Sequence, residues 1–216
     1  MNLQYPVVYP IIDTSVCRER AIEPVALAEA CLRGGARLLQ LRAAKDDSSA
    51  SLTLLADRIV AAAHAAGAKV VVNDRADIAQ LSHADGVHVG QTDLPVAAAR
   101  MIVGPDGIVG VSTHDRDQID EALAGEASYV AVGPLFLTST KDTGYTARGL
   151  DLVRYAANRG KPIVAIGGIT LERAPEVVAA GASALAVIAD ILVGGDPEAR
   201  VRGFLARLPA QPFRVY

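Results

Sequence analysis

The stretch KVVVNDRADIAQLSHADGVHVG, Lys69–Gly90, holds one structural unit in miniature. Val70, Val71 and Val72 form an unbroken β-branched run, the signature of a strand buried on both faces. Gly86–Gly90 closes the stretch with a second short apolar run. Between them Asn73–Ala84 leaves room for one or two helical turns. The first strand ends on Asn73 and Asp74, an amide and a carboxylate at the end of a hydrophobic run.

The unit recurs along the whole chain. Apolar runs lie at Val7–Ile12, Leu38–Arg42, Lys69–Asn73, Gly86–Gly90, Ile108–Ser112, Tyr129–Gly133, Pro162–Gly168 and Ala184–Ile188. They are short, rich in Val and Ile, and nearly continuous, as suits parallel strands. Helical spacing fills the gaps at Pro24–Ala36, Ser51–Ala68, Leu94–Ile102, Arg116–Leu123, Leu150–Asn158, Leu171–Ala180 and Pro197–Leu208. Gly34–Gly35 and Gly67 give stop signals. Eight strand–helix alternations without a break in composition predict a single (β/α)8 TIM barrel over residues 1–216. The rival is an open doubly wound sheet. That fold usually carries a glycine-rich turn after its first strand, and IIDTSVCRE (Ile11–Glu19) has none.

Composition narrows the function. The chain has 216 residues, 51% hydrophobic and 21% charged, with a net charge of −3. A mildly acidic chain with 4% aromatics and no Trp offers neither a basic patch nor a stacking surface, so no nucleic-acid or anionic-membrane partner is expected. No apolar run reaches the roughly 18 residues of a membrane span. The N-terminus lacks the features of a signal peptide. Cys17 and Cys31 show no metal-ligand spacing. A cytoplasmic protein acting on small molecules is the expectation, with oligomeric state open and a homo-oligomer among the options.

In a barrel of this kind chemistry gathers at the C-terminal ends of the strands. Those ends carry Asp13; Gln40 and Arg42; Asn73 and Asp74; Gln91 and Asp93; Ser112 and His114; Thr138, Thr140 and Lys141; Gly167–Gly168; and Ile188–Ala189. Asp74 and Asp93 are carboxylates on adjacent strands, opposed by Arg42 and Lys141, with Lys45 nearby. Magnesium takes one or two carboxylates and substrate phosphate oxygens, while Arg and Lys clamp the same oxygens. The set suits a magnesium-bound diphosphate. Each aspartate alone reads first as a helix N-cap, and it is the pair together with the cations that favours the metal. Gly167–Gly168 after strand seven frees backbone N–H groups for an anion, where this fold often binds phosphate. A tight turn needing positive φ is the other reading of that pair. Two phosphorylated substrates in one pocket point to a joining reaction.

Taken together, QLR (Gln40–Arg42), NDRADIA (Asn73–Ala79), ADGVHVGQTDLP (Ala84–Pro95), GVSTHD (Gly110–Asp115), VGPLFLTSTK (Val132–Lys141) and AIGGI (Ala165–Ile169) resemble the thiamine phosphate synthase family, in order from Gln40 to Ile191. The resemblance implies the same barrel. It implies a transferase that joins hydroxymethylpyrimidine diphosphate to thiazole phosphate, giving thiamine phosphate and pyrophosphate. It implies Mg2+ on Asp74 and Asp93. Gln40, Arg42, Asn73, Ser112 and Lys141 match positions for the pyrimidine diphosphate, with Arg42, Ser112 and Lys141 expected at the reacting bond. Thr138, Thr140, Gly168, Ile188 and Ala189 match positions around the thiazole phosphate. Three places depart from the family pattern. Ala44 stands where a lysine is usual and Lys45 follows it. Leu137 replaces a common proline, and Ala189 a common serine. The related thiazole tautomerase shares the fold and a histidine at the place of His114, but has no use for magnesium. A non-catalytic thiazole-phosphate-binding barrel is a third reading. His88 reads as a hydrogen-bonded structural histidine. The segment Thr138–Arg148 reads as a lid over the diphosphate.

Overall fold

A computed structural model describes residues 3–4, 7–137, 146–208 and 212–213. Eight parallel strands close into a barrel: β1 (Val7–Asp13), β2 (Leu38–Arg42), β3 (Lys69–Asn73), β4 (Gly86–Val89), β5 (Ile108–Thr113), β6 (Tyr129–Val132), β7 (Ile163–Ile166) and β8 (Ala184–Val187). Each pairs with its neighbour in sequence, and β8 returns to β1 with Val7 opposite Ala184. All eight runs expected from the sequence are strands. The open-sheet alternative is excluded by this closure.

The helices between them are α1 (Thr14–Glu19), α2 (Pro24–Arg33), α3 (Ser49–Ala65), α4 (Ala76–Leu81), α5 (Val96–Val103), α6 (Arg116–Ala124), α7 (Asp151–Ala156), α8 (Ala174–Ala179) and α9 (Pro197–Arg207). Caps set several of their starts. Ser48 accepts from Ser51 N at α3, Asp115 from Gln118 N at α6 and Asp196 from Ala199 N at α9. Two helical elements lie outside the sequence expectation. One is α1, nucleated by Asp13, whose Oδ1 accepts from the N–H groups of Ser15 and Val16. The other is a 3-10 segment, Ala189–Gly195, after β8. A two-residue antiparallel ladder joins Leu3–Gln4 to Pro212–Phe213.

Two hydrophobic layers hold the barrel. The larger lies between strands and helices, with Leu39, Leu41, Val70, Val72 and Val87 facing Ile59, Ile78 and Ile119. The smaller fills the barrel interior with Tyr9, Ile11, Leu38, Val71, Ile108, Tyr129 and Val164. This alternation along β-branched strands explains the continuous apolar runs: both faces are buried. Room for the large interior rings comes from glycine. Gly110 lies opposite Tyr129 in the ladder, and a Cβ there would sit 2.1 Å from the Tyr129 ring. With the interior filled, a cavity is left at the C-terminal mouth. Among the described residues no helix is long and apolar enough to cross a membrane.

Candidate active site

A cavity of about 630 Å³ opens at that mouth. It is built from strand ends inward. Arg42, the last residue of β2, stands beside Asp13, the last of β1, and their registers match. Arg42 Nε lies 2.6 Å from Asp13 Oδ2, with the side chains 15% and 2% exposed. The two oxygens of Asp13 divide the work: Oδ1 caps α1, and among the described residues Oδ2 has no partner but the guanidinium. Arg42 is therefore held in one pose by a buried charge.

Asn73 and Asp74 line the cavity from β3. Asp74 adopts φ +63, and its N–H donates to His88 O at 2.7 Å. Aspartate tolerates this left-handed pose better than most residues. The N-cap of α4 is Arg75, without a side-chain cap bond, so Asp74 is not the helix cap. Asp93 is not one either. Pro95 opens α5, while Asp93 Oδ2 accepts from Gly90 N at 2.8 Å within the loop. Gly90 has to be small there, since a Cβ would lie 2.8 Å from the same oxygen. Both carboxylates thus face one cavity for a reason other than capping. Among the described residues no three His, Cys, Asp or Glu side chains cluster as a metal site. Magnesium needs no such cluster when substrate phosphate and water complete its six oxygens. Two hard carboxylates beside Arg42 fit that ion.

Ser112, from β5, lines the cavity with its Oγ 2.8 Å from His88 Nε2. Gln91 Nε2 donates to Ser112 O at 2.6 Å and ties the β4 loop to β5. His114 lies on the rim, its Nδ1 donating to Gly133 O at 2.6 Å. Opposite, Gly167 and Gly168 turn with φ +100 and +63. Space demands glycine at both: a Cβ on Gly167 would meet Pro134 at 2.6 Å, and one on Gly168 would meet Leu137 O at 2.7 Å. Tight turn and open backbone are therefore the same feature. Ile188 and Ala189 complete this side, with the buried Asp190 committed to Arg200 by two bonds of 2.9 Å.

The mouth gathers Arg42, Asn73, Asp74, Asp93, Ser112, Gly168, Ile188 and Ala189 in one space. Gln40 stands deeper, buried, with Nε2 on the Tyr9 hydroxyl at 3.2 Å. Lys45 is exposed and does not line the cavity. Its loop is drawn toward α1 instead: Ala44 N donates to Thr14 Oγ1 and Asp47 Oδ2, and Arg18 pairs with Asp46 and Asp47. Thr138, Thr140, Lys141 and most of the expected lid, 138–145, lie outside the described residues. Two cations were missed in the sequence. Arg173 lines the cavity beside the Gly-Gly turn, donating to Gly168 O at 2.7 Å with its guanidinium 4.3 Å over Phe136. Arg20 lines it from the loop after α1 and, among the described residues, has no side-chain partner. Thr170 and the Gly-Gly turn were a signal for Arg173, which sits one helical turn on. Nothing in the local pattern pointed to Arg20.

Known proteins share this sequence pattern and this fold. The family model described as thiamine monophosphate synthase matches residues 8–191. A protein of Mycobacterium bovis (strain BCG / Pasteur 1173P2) named thiamine-phosphate synthase is 44% identical over 212 residues, covering 91% of this chain and 93% of its own. One of the same name from Chlorobium luteolum is 41% identical over 192 residues, covering 88% and 90%. A solved structure, thiamine phosphate pyrophosphorylase from Pyrococcus furiosus, superposes with a TM-score of 0.82 at 27% identity, over 94% of this chain and 96% of that one. With a family match across nearly the whole barrel and relatives this similar over nine-tenths of its length, the chain belongs to the thiamine monophosphate synthase family.

Proposed function

We propose that this chain is a thiamine-phosphate synthase that joins hydroxymethylpyrimidine diphosphate to thiazole phosphate at the mouth just described. One observation carries the residue-level reading: a cavity of about 630 Å³ sets Arg42, Asp74 and Asp93 on one side and the Gly167–Gly168 turn on the other. The first group suits a diphosphate with its metal. The second suits a monophosphate, because among the described residues the N–H groups of Gly168 and Ile169 have no protein acceptor.

The chemistry needs no tuned acid or base. The bond between the pyrimidine methylene and the diphosphate oxygen breaks, and its electron pair leaves with the diphosphate. The thiazole nitrogen lone pair then forms the new carbon–nitrogen bond. Arg42, fixed by Asp13, meets charge growing on the departing oxygens, with Ser112 and Lys141 assigned to the same group. A magnesium ion held by Asp74 and Asp93 would neutralise part of that charge. Asn73 orients the diphosphate beside it. Arg20 takes the place that Lys45, turned outward, does not fill. Thr138, Thr140, Gly168, Ile188 and Ala189 hold the thiazole phosphate, so the reacting atoms meet in one orientation. The free, buried thiols of Cys17 and Cys31, which burial pushes to about 11 and about 12, fit a reducing cytoplasm.

The test is direct. Purified protein with both substrates is assayed for thiamine phosphate by oxidation to thiochrome, with magnesium and with excess chelator. Product only with magnesium is expected. Asp93→Asn keeps an oxygen for the Gly90 N–H, so it should stay folded by circular dichroism while turnover falls at least a hundredfold. Full activity in Asp93→Asn would remove that carboxylate from the metal site.

A further inference from the structure

Five hydrogen-bonded side chains lead from the barrel interior to the cavity, with Gln40 within reach of both tyrosine hydroxyls. Gln40 Nε2 donates to the Tyr9 hydroxyl at 3.2 Å, and the Tyr9 and Tyr129 hydroxyls are 3.1 Å apart. The Tyr129 hydroxyl is 2.9 Å from His88 Nδ1, and His88 Nε2 is 2.8 Å from Ser112 Oγ. Packing fixes the file as firmly as its bonds. Both tyrosine rings are fully buried, and the His88 ring stacks on Tyr129 with 5.6 Å between centroids and 16° between planes. Burial also pushes both phenols well above their ordinary range, so each hydroxyl keeps one proton to give.

The protons can be followed one at a time. An amide nitrogen only donates, so Gln40 occupies a lone pair of Tyr9. Among the described residues the Tyr9 proton then has one acceptor, the Tyr129 oxygen. The Tyr129 proton goes on to His88 Nδ1. A neutral imidazole that accepts at Nδ1 carries its proton on Nε2 and donates from there. Ser112 Oγ receives that bond, and its own proton turns toward the cavity that Ser112 lines.

We propose that this one-way file makes His88 a positioning residue, locked as the neutral Nε2–H tautomer, which turns Ser112 into a hydroxyl donor aimed at a phosphate oxygen of the ligand. The reverse file, with the Gln40 amide turned over, places the proton on Nδ1. Ser112 would then spend its proton on His88 and show the cavity only lone pairs, which repel an anion. The choice of ligand rests on the diphosphate reading above; the tautomer does not.

The measurement is made on the full chain labelled with 15N at histidine. Long-range 1H–15N correlation reports each ring tautomer, and His88→Asn identifies the His88 signals among the four histidines. Without ligand, the neutral ring is expected to carry its proton on Nε2. An Nδ1–H tautomer or a mixture in the native chain overturns the proposal. Tyr129→Phe keeps the stacked ring and removes the donor to Nδ1. It should convert the His88 signal to a mixture and weaken magnesium pyrophosphate binding about two- to tenfold, toward the roughly tenfold loss expected for Ser112→Ala. An unchanged tautomer in Tyr129→Phe, or pyrophosphate affinity indifferent to Ser112→Ala, also overturns it. A native chain that shows Nε2–H yet binds no pyrophosphate sinks the diphosphate reading and supports the proton file.

Discussion

Arg42 and Asp13 show how a residue proposed for the chemistry also holds the fold together. Their contact at 2.6 Å compensates a carboxylate that is 2% exposed. Arg42→Ala leaves that charge buried without its cation, a defect worth about 3–5 kcal/mol. Urea denaturation should show a loss of that size, and turnover should fall as well; a loss under about 1 kcal/mol would mean that solvent already screens Asp13. Arg20 is the contrasting case. Among the described residues it has no side-chain partner, so Arg20→Ala should change stability by less than about 0.5 kcal/mol. The KM for one phosphorylated substrate should still rise about three- to tenfold, the loss of a charge-assisted contact in a wet site. Unchanged KM values for both substrates would exclude Arg20 from binding. The place of Arg42, Asp74 and Asp93 at the mouth was legible in the sequence because strand ends are easy to locate and barrel geometry does the rest. Arg20 was not. Its position depends on Ala21, whose φ of +53 ends α1, and α1 is too short to show a period. Lys45 was legible as a charge but not as a direction, because Asp47 and Thr14 hold its loop away from the mouth.

At the scale of elements, the strands were read within a residue or two, since β-branched runs buried on both faces leave little ambiguity. Short helices fared worse. Leu171 lies before α8 rather than in it, because its N–H is taken by Asp190 from the next loop, a contact no local pattern announces. Asp85 is a similar long-range staple. Its backbone joins Val70 and Ile108 just ahead of β4, and its carboxylate accepts from Val70 N, Lys69 Nζ and His64 Nε2. Burial alone would raise its pKa, but these bonds outweigh burial and hold it below the ordinary value. A depressed carboxylate stabilises the fold above its unfolded pKa of about 3.9 and loses that effect as pH falls through the folded value. Asp85→Asn should therefore cost about 1–3 kcal/mol at pH 7, with the gap to the native chain constant down to about pH 5 and shrinking below about pH 4. A gap that stays constant into acid would mean the charge contributes nothing.

The whole molecule depends on a match between glycine and aromatic ring inside the barrel. Gly110→Ala drives a methyl into the Tyr129 ring, whose hydroxyl is held by His88, so the ring cannot simply turn away. Overpacking of this kind costs about 1–3 kcal/mol. The expected outcome is a lower urea midpoint at unchanged slope, together with a disturbed His88 signal; native stability in Gly110→Ala would show that the interior can shift to make room. Eight strands in order were readable from sequence alone. The pairing of Gly110 with Tyr129 was not, because it is set by register around the closed sheet.

The same two tyrosines make the barrel blind. It is a packed core and not a pore, so nothing that enters at the mouth can leave by the far end. Both substrates and both products share one doorway. Traffic through it is a queue: whichever molecule sits deeper arrives first and departs last. On the diphosphate reading proposed above, a leaving group that lingers beside Asp74 would stand in the path of its own successor.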